Sequence, residues 1–414
     1  MAIVTPTDSE AGAPARPADE RRALAVAGGA HALHDGYTDL IYVVLPLVQA
    51  EFSLAYGAVG LLRTIYSGTM ASFQIPASML SERLGIPVVL AIGTALAGAC
   101  FCLAGVSAGF PMLVAALLLG GFGASTQHPI GSALVARAFA GSRALTALGT
   151  YNFAGDIGKM VVPAAASMLL LVLAWRPTVG LLGVVGFVAA IAIFIFAPRL
   201  PPEHAHEQRT AVVAAGATGT TGVAKGSLLS GFWLLLTIAS IDSATRAGFL
   251  VFLPFLMIAK GTSVTTAGLA LTLTFVGGAT GKLVCAYLGR WFGVVATICL
   301  TKLATAVGMM AILLVPAEIA LVLLPPFGAM LNGASSVTYG SVPDFVTPAG
   351  RTRAFSLFYT GTLGAGALAP TISGLVGDAL GIPTTIVIIA ALMLASLPLA
   401  WLLRPALARS VSAP

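Results

Sequence analysis

Residues 30–46 read AHALHDGYTDLIYVVLP, an apolar run that carries two histidines and two aspartates. On a helix, residues three or four positions apart lie on the same face. One face of this run therefore carries a stripe made of His31, Asp35, Thr38, Asp39, Tyr42 and Pro46. Because the opposite face is mostly apolar, the stretch predicts a membrane-spanning helix whose polar stripe lines a cavity.

The composition of the whole chain is that of a membrane protein. Of the 414 residues, 58% are hydrophobic and only 9% are charged, whereas soluble domains carry roughly 25% charged residues. Long apolar runs recur along the chain, and a helix needs about 20 residues to cross the hydrocarbon core. The sequence predicts an all-α integral membrane protein with twelve transmembrane helices, at 23–49, 56–80, 86–106, 110–138, 144–174, 177–198, 227–258, 264–288, 294–315, 318–343, 353–379 and 382–404.

The basic residues predict the orientation of these helices. Only Arg176 and Lys260 fall on one side of the predicted membrane. The other side carries Arg16, Arg21, Arg22, Arg83, Arg137, Arg143, Arg199, Arg209, Lys225, Arg290, Arg351, Arg353, Arg404 and Arg409. By the positive-inside rule, both termini are expected in the cytoplasm and the protein in the inner membrane. The net charge of +6 reflects this asymmetry, so no nucleic-acid partner is expected.

A low-complexity segment divides the chain into two halves. Residues 199–226 contain AAGATGTTG, a composition typical of a flexible linker. No cleaved signal peptide is expected, since the run after residue 22 is too long and too charged. The predicted domains are a disordered cytoplasmic tail at 1–22, a six-helix bundle at 23–198, the linker, a second six-helix bundle at 227–405, and a cytoplasmic tail at 406–414.

The two halves are related by a repeat. Asp35 and Asp242 are 207 positions apart, and Gly85 and Gly293 are 208 apart. A nearly constant offset over much of a half indicates duplication, although each match alone means little. Six spans per half give both halves the same orientation, which predicts a pseudo-symmetric pair of bundles.

Charged residues within the predicted spans suggest which helices line a cavity. The third, sixth and twelfth spans carry no ionisable group in their interiors, and the ninth carries only Lys302, which is expected to snorkel to the cytoplasmic surface. Every third helix is therefore expected to face lipid. Asp242 with Arg246, and Asp156 with Lys159, have spacings that allow ion pairs on one helix, which could hold helices together or line the cavity.

Asp35 and Asp39 have no cation within one turn on their own helix. Two carboxylates one turn apart in poorly solvated surroundings repel each other, so at least one is expected to exchange a proton near neutral pH. We predict a proton-coupling group of Asp35, Asp39, His31 and His34. The alternative is that Arg63 or another base permanently neutralises Asp35.

The other cavity residues are predicted from their position in the spans. His128, between Gln127 and Pro129, either lines the cavity or is a packing residue, and Pro129 frees a backbone carbonyl nearby. The predicted substrate cavity contains Thr38, Arg63, Gln127, His128, Asn152, Asp156, Lys159, Asp242, Arg246, Lys282, Asn332 and Tyr359. An excess of bases favours an anionic substrate, unless the bases simply neutralise the aspartates.

No cofactor, metal or catalytic residue is predicted. The four cysteines lie within predicted spans and form no C-x-x-C motif. GGATGKL at 277–283 lacks the first glycine of a phosphate-binding loop. That segment and Gly155 with Gly158 are better explained as small residues that allow close helix packing.

Three stretches carry a resemblance to a known family. Residues 30–60, residues 121–139 (GFGASTQHPIGSALVARAF) and residues 151–163 (YNFAGDIGKMVVP) resemble the fosmidomycin-resistance branch of the major facilitator superfamily. This resemblance implies a proton-coupled exporter with the superfamily fold.

These observations predict a secondary transporter that works by alternating access and is not an enzyme. Proton-coupled efflux of a drug or metabolite is the first interpretation, and proton-coupled uptake of a small organic anion is the alternative. A membrane-embedded transfer enzyme using His31 or His34 with Asp35 is a remote alternative. The expected partners are a small-molecule substrate, protons and the lipid bilayer, and the protein is expected to act as a monomer.

Overall fold

The computed structural model describes residues 16–139, 142–200, 227–346 and 351–405, and nearly all of them are helical. The helices are α1 (Pro17–Phe52), α2 (Tyr56–Leu84), α3 (Ile86–Gly105), α4 (Phe110–Ser125), α5 (Gln127–Ala138), α6 (Ser142–Leu169), α7 (Trp175–Phe196), α8 (Ser227–Ala259), α9 (Val264–Phe292), α10 (Val294–Leu314), α11 (Ala317–Gly340) and α12 (Arg351–Leu402), with a short 3₁₀ helix at Val342–Phe345. The predicted linker and C-terminal tail lie outside the described residues, apart from residues 199 and 200.

These helices form twelve membrane spans, as the sequence predicts. α4 and α5 together make the fourth span, since Thr126 between them keeps a helical backbone. α12 makes the last two spans, because Gly381 inside it has a φ of 79° and breaks the helix. Eight of the described helices are long and apolar enough to cross a membrane, counting α4 with α5 as one. The other three long helices, α1, α2 and α6, carry more polar residues.

The first helix starts earlier than predicted. α1 begins at Pro17, so residues 17–22, which were expected to be disordered, are helical. Proline suits the first turn of a helix because it needs no amide donor there, and Asp19 and Glu20 complement the positive end of the helix dipole.

Two glycines that the repeat relates have the same backbone conformation. Gly85 ends α2 with a φ of 87°, and Gly293 ends α9 with a φ of 80°. Residues with side chains rarely adopt this left-handed conformation. The second span of each half therefore turns into the third through an equivalent glycine.

The helices pack as two bundles, α1–α7 and α8–α12. In the first bundle α1 packs against α6 and α3 against α7; in the second, α8 packs against α12 and α9 against α11. The bundles meet mainly through α2 with α12 and through α6 with α9. Glycine permits this close approach, since a Cβ on Gly60 would overlap the carbonyl of Pro370.

The two ends of the molecule differ in their apolar packing. We call the end at which α1 begins the inner end and the opposite end the outer end. Toward the outer end one buried cluster includes residues of both bundles, such as Val43 and Leu45 with Phe249 and Phe252. Toward the inner end each bundle has its own cluster. Apolar packing therefore joins the bundles at the outer end, whereas at the inner end each bundle packs around its own apolar cluster.

A carboxylate strengthens the outer junction. Asp378 on α12 accepts hydrogen bonds from the backbone N–H groups of Tyr56 (2.6 Å) and Gly57 (2.8 Å) at the start of α2. Carboxylates are stabilising at this position because the first amides of a helix lack partners and carry partial positive charge. These two hydrogen bonds join residues more than 300 positions apart in sequence and connect one bundle to the other.

Candidate functional site

Asp35 is at the centre of a partly buried group of ionisable side chains from three helices. Its Oδ2 lies 3.3 Å from His31 Nε2 and 3.2 Å from Lys159 Nζ, and its Oδ1 lies 3.7 Å from His128 Nε2. Asp35 itself is only 7% exposed. We call these four residues, Asp35, His31, His128 and Lys159, the Asp35 cluster.

Small residues allow α6 to approach α1 closely enough to form this cluster. A Cβ on Gly158 would overlap the carbonyl oxygen of Ala32, and a Cβ on Gly155 would lie 2.6 Å from His31 Nε2. The prediction that Gly155 and Gly158 serve close helix packing is confirmed. On the other side, Pro129 has no N–H to donate to the carbonyl of Ser125, which loosens the α4 and α5 junction beside His128.

The contact between His31 and Asp35 requires a proton. His31 Nδ1 lies 2.9 Å from the carbonyl oxygen of Tyr151, which can only accept a hydrogen bond, so Nδ1 carries a proton. In a neutral imidazole, Nε2 is then an acceptor, and it faces a carboxylate oxygen that is also an acceptor. The 3.3 Å contact becomes favourable when a proton is bound to Nε2 of His31 or to the carboxyl of Asp35.

Tyr151 and Gln127 hold His31 in this orientation. The Nε2 group of Gln127 donates to the Tyr151 hydroxyl at 2.9 Å, and the Tyr151 ring lies against His31 with centroids 4.3 Å apart. Gln127 was predicted to line the cavity, but it is fully buried. Its place is behind the Asp35 cluster, because its amide serves as a donor to Tyr151.

Three further predicted residues on α1 have partners outside the cluster or none. His34 Nε2 lies 3.0 Å from the Thr94 hydroxyl on α3, and Thr38 donates to the carbonyl oxygen of His34. Asp39 is 6% exposed and makes no hydrogen bond or ion pair with the residues that the structure describes. The structure therefore does not bring His34 or Thr38 to Asp35.

Arg63 does not neutralise Asp35 directly. Its guanidinium donates to the hydroxyls of Ser67 at 2.6 Å and Tyr42 at 3.1 Å, and it lies over the Tyr42 ring. The ammonium group that contacts Asp35 belongs to Lys159, which lies on α6. Thus the alternative of a neighbouring base has structural support, with Lys159 in place of Arg63.

A second polar group lies between the bundles. Lys282 on α9 donates to both carboxylate oxygens of Asp156 on α6, at 2.6 and 2.7 Å. The predicted pair of Asp156 and Lys159 is longer, at 4.0 Å. A small cavity adjoins these groups and is lined by Asp156, Lys159, Arg246, Phe275, Gly278, Ala279, Lys282, Asn332 and Ser335.

The expectation that Asp242 forms an ion pair with Arg246 is wrong. Asp242 contacts Lys302 of α10 instead, and both side chains are buried. Lys302 is 1% exposed, so the expectation that it snorkels to the surface is also wrong. The reason is that α10 packs against α11 and α12 and turns Lys302 into the second bundle. Asp242 is therefore part of that bundle's interior.

The remaining predicted cavity residues are more exposed. Asn152 lies one turn before Asp156 on α6 and is exposed. Tyr359 on α12 is 41% exposed. Asn332 donates to the carbonyl of Gly328 at 3.2 Å and borders the cavity with Lys282.

The Asp35 cluster contains the kinds of ligands that transition metals use, but a base occupies it. One ligand atom each from His31, Asp35 and His128 lie within 4.8 Å of one another. The ammonium of Lys159, 3.2 Å from Asp35, already supplies the positive charge that balances this carboxylate. The geometry therefore favours a site for protons.

Sequence reasoning missed several residues of the site. Tyr151, which contacts His31, begins one of the stretches that carry the family resemblance, but nothing in the sequence marks it as a partner of His31. Thr94, which contacts His34, carries no sequence signal beyond its place in a predicted span. The contact of Lys159 with Asp35 joins positions 124 apart in sequence, and helical spacing cannot reveal it. Asp378 lies at the end of a span, where an acidic residue is unremarkable by composition.

The sequence and the fold were compared with known proteins. A family model described as Major Facilitator Superfamily matches residues 28–241 and 235–414. The fosmidomycin resistance protein of Escherichia coli (strain K12) is 29% identical over 180 residues, which cover 41% of this chain and 42% of that protein. A probable L-galactonate transporter of the same organism is 25% identical over 277 residues, 63% of this chain and 60% of that protein.

This chain thus matches less than two thirds of the length of either relative. Two solved structures share its fold over nearly the whole length. One is a bacterial homologue of the human lysosomal transporter Spinster in an inward-facing and occupied conformation, with a TM-score of 0.78, 16% identity, and coverage of 95% of this chain and 99% of that one. The other is a nucleoside transporter, with a TM-score of 0.74, 14% identity, and coverage of 94% and 99%.

Proposed function

Because this chain belongs to the major facilitator superfamily, we propose that it couples the movement of a small organic molecule across the membrane to the movement of protons. The chain is a multi-pass integral membrane protein, and its relatives and fold are those of transporters. The prediction that it is not an enzyme is confirmed by these relatives. Alternating access would proceed by rocking of the two bundles about the polar groups between them.

The contact between His31 and Asp35 carries the proposal of proton coupling. Two acceptors face each other at 3.3 Å, and the contact is stable when a proton lies between them. Lys159, at 3.2 Å from the same carboxylate, can balance the charge of Asp35 when that proton leaves. The cluster can therefore exist with or without the proton. A proton-coupling site has to be stable in both states, because it binds and releases a proton in each transport cycle.

Export of a drug or metabolite is the first candidate direction. It is supported by the similarity to the fosmidomycin resistance protein, which is 29% identical over 180 residues. Uptake of a small organic anion is the second candidate. Its support is the cavity that Arg246, Lys159 and Lys282 line, together with the similarity to a probable L-galactonate transporter.

The proposed location is the inner membrane with the inner end of the molecule in the cytoplasm. Arg83, Arg137 and Arg290 lie in the last turns of α2, α5 and α9, all at the inner end. Positive charge at helix ends is retained on the cytoplasmic side. Because no apolar cluster joins the bundles at that end among the described residues, the polar groups would be reached from the cytoplasm. A monomer would suffice, since both bundles belong to one chain.

Transport by the Asp35→Asn variant tests the proposal. Wild-type protein and the variant are reconstituted in liposomes, and uptake of fosmidomycin and of L-galactonate is followed under pH gradients of both signs. We expect a pH gradient to drive accumulation by the wild type and not by Asp35→Asn, while exchange without a gradient persists in the variant. Undiminished proton-driven accumulation by the variant would contradict the role of Asp35.

Glu51→Gln is a matched control. It removes one carboxylate at the outer surface, where Glu51 contacts Arg176 and Trp175, and it leaves the Asp35 cluster intact. Its proton-driven transport should equal that of the wild type. The sign of the gradient that drives accumulation distinguishes export from uptake.

A further inference from the structure

Four charged side chains form a row that crosses from the first bundle to the second. Lys159 lies 3.2 Å from Asp35 and 4.0 Å from Asp156, and Asp156 in turn contacts Lys282 with both oxygens. Negative and positive charges alternate along this row. Lys159 and Asp156, in the middle of the row, therefore each have two possible partners of opposite charge. A change at one end of the row alters how strongly the charge at the other end is compensated.

Arg246 is a second cation at the cavity that Lys282 lines. Both residues line the cavity between the bundles, and Arg246 makes no hydrogen bond or ion pair with the described residues. Its charge acts on the buried carboxylate of Asp39 without direct contact, and a guanidinium that lacks a hydrogen-bonded partner is costly within a membrane span. Its planar fork is well suited to bind a carboxylate or another oxyanion through two parallel hydrogen bonds.

We infer that Asp156 occupies the anion site of the empty transporter, and that the anionic group of a substrate has to displace it from Lys282. This inference rests on the proposed transport of a small organic molecule and names the class of that molecule, an organic oxyanion. Asp156 contacts Lys282 with two oxygens, at 2.6 and 2.7 Å, as a bound carboxylate ligand would.

The surroundings of Lys282 permit this exchange. Its side chain is 39% exposed, whereas that of Asp156 is 12% exposed, so a ligand in the cavity can reach the ammonium. Gly278 and Ala279 line the cavity beside it, and the absence of a side chain at Gly278 admits the amide of Asn332, which adds a hydrogen-bond donor at the cavity. A ligand oxyanion between Lys282 and Arg246 would face two cations, and the displaced Asp156 would keep Lys159, 4.0 Å away.

Displacement of Asp156 would also change the charge compensation within the Asp35 cluster. A released Asp156 carboxylate is already 4.0 Å from Lys159 and would attract it. Lys159 would then balance Asp35 less well, so binding of the anion would favour a proton on Asp35 or His31. The row of charges thus links the anion site to the proton site without direct contact between substrate and proton.

Anion binding by Asp156→Asn and Lys282→Met tests this inference, with L-galactonate as the anionic probe and galactitol as a neutral compound of similar shape. Removing the competing carboxylate should lower the Kd of Asp156→Asn for L-galactonate about tenfold, the scale of one charge-assisted hydrogen bond. Lys282→Met should raise the Kd by about the same factor. Isothermal titration at fixed salt measures both, and galactitol binding should not change.

The opposite signs of these two effects separate the inference from a purely structural pair. If Asp156 and Lys282 only held the bundles together, both variants would bind L-galactonate more weakly than the wild type, and that result would overturn the inference. The same holds if Asp156→Asn binds no L-galactonate. Glu51→Gln, which also removes one negative charge, should leave the Kd unchanged.

Failure here is distinguishable from failure of the proposed function. Proton-driven transport that depends on Asp35 could stand even if Asp156→Asn binds anions no better than the wild type. Conversely, tighter anion binding by Asp156→Asn together with pH-independent transport would keep the anion site and reject proton coupling.

Discussion

Asp35 and Asp242 occupy corresponding positions in the two repeats, yet their surroundings differ. Both are nearly buried, at 7% and 4% exposure. Asp35 contacts three basic side chains from its own helix and two others. Asp242 contacts one base, Lys302, which is itself 1% exposed. The duplicated position thus carries an adjustable network in one half and a closed ion pair in the other.

This difference indicates how a duplicated chain can divide its tasks. The Lys159 side chain at the first site is 32% exposed, so protons and water can reach it from the space between the bundles. Lys302 has no such access. We infer that the first half kept its carboxylate exchangeable, while the second half uses the equivalent carboxylate to fix α8 against α10.

Removing the lysine from each site should give the largest difference in stability between the two sites. In Lys302→Met, Asp242 is left buried without its partner, and breaking a buried pair in this way costs about 3–5 kcal/mol. In Lys159→Met, Asp35 keeps His31 and His128, so we expect less than half of that loss. Thermal unfolding of both purified variants in the same detergent measures the difference.

A double variant controls for the loss of side-chain volume. Replacing both members of the buried pair, in Asp242→Leu with Lys302→Met, leaves no unpaired charge and should restore most of the stability. Equal destabilisation by Lys302→Met and Lys159→Met would show that the two sites do not differ in the way described.

The glycines of α6 test how tightly the Asp35 cluster is built. A Cβ on Gly158 would overlap backbone of α1, whereas a Cβ on Gly155 would lie 2.6 and 2.8 Å from side-chain atoms of His31 and Asp35. Overpacking costs about 1–3 kcal/mol, and backbone yields less than side chains. Gly158→Ala should therefore lower the unfolding temperature more than Gly155→Ala, while Gly155→Ala should impair proton-driven transport.

Gly149→Ala is the control on the same helix, because a Cβ there meets no atom within 4 Å. It should leave stability unchanged or raise it slightly, since alanine favours helices over glycine. If all three variants were equally stable, close approach of α6 to α1 would not depend on these glycines.

Much of the fold could be predicted from the sequence because the membrane imposes strong rules. Span length and the asymmetry of basic residues depend on local composition, so twelve spans in two bundles follow directly. The polar stripe on α1 was also visible, since helical spacing defines which residues share a face. The repeat indicated that Asp35 and Asp242 correspond.

The partners of these residues could not be predicted, because spacing fixes a face and not its neighbour. On-helix spacing assigned Asp242 to Arg246, but packing of α10 brings Lys302 there. Similarly, Asp156 lies three residues from Lys159, yet it contacts Lys282 from the other bundle. Helix rotation and the choice of neighbouring helix depend on tertiary packing, which a single sequence does not encode locally.

The smallest expected effect is at an exposed ion pair that serves as a reference for the two buried sites. Glu51, at the outer end of α1, accepts hydrogen bonds from Arg176 at 2.6 Å and from the Trp175 indole at 2.5 Å. The guanidinium of Arg176 and this indole hold the pKa of Glu51 below its usual range. A carboxyl whose pKa is lowered by folding contributes stability above its unfolded pKa and loses it as the pH falls through the folded value.

Arg176→Met should therefore cost less than about 1 kcal/mol at pH 7, as exposed pairs do. The difference from the wild type should shrink as the pH falls through the acidic range in which Glu51 takes up a proton. Unfolding temperatures of both proteins measured from pH 7 to pH 3 test this. A loss of stability that does not change with pH would assign the role of Arg176 to its packing over the Trp175 and Phe52 rings. The charge of this ion pair would then contribute less to stability than the charges at either buried aspartate.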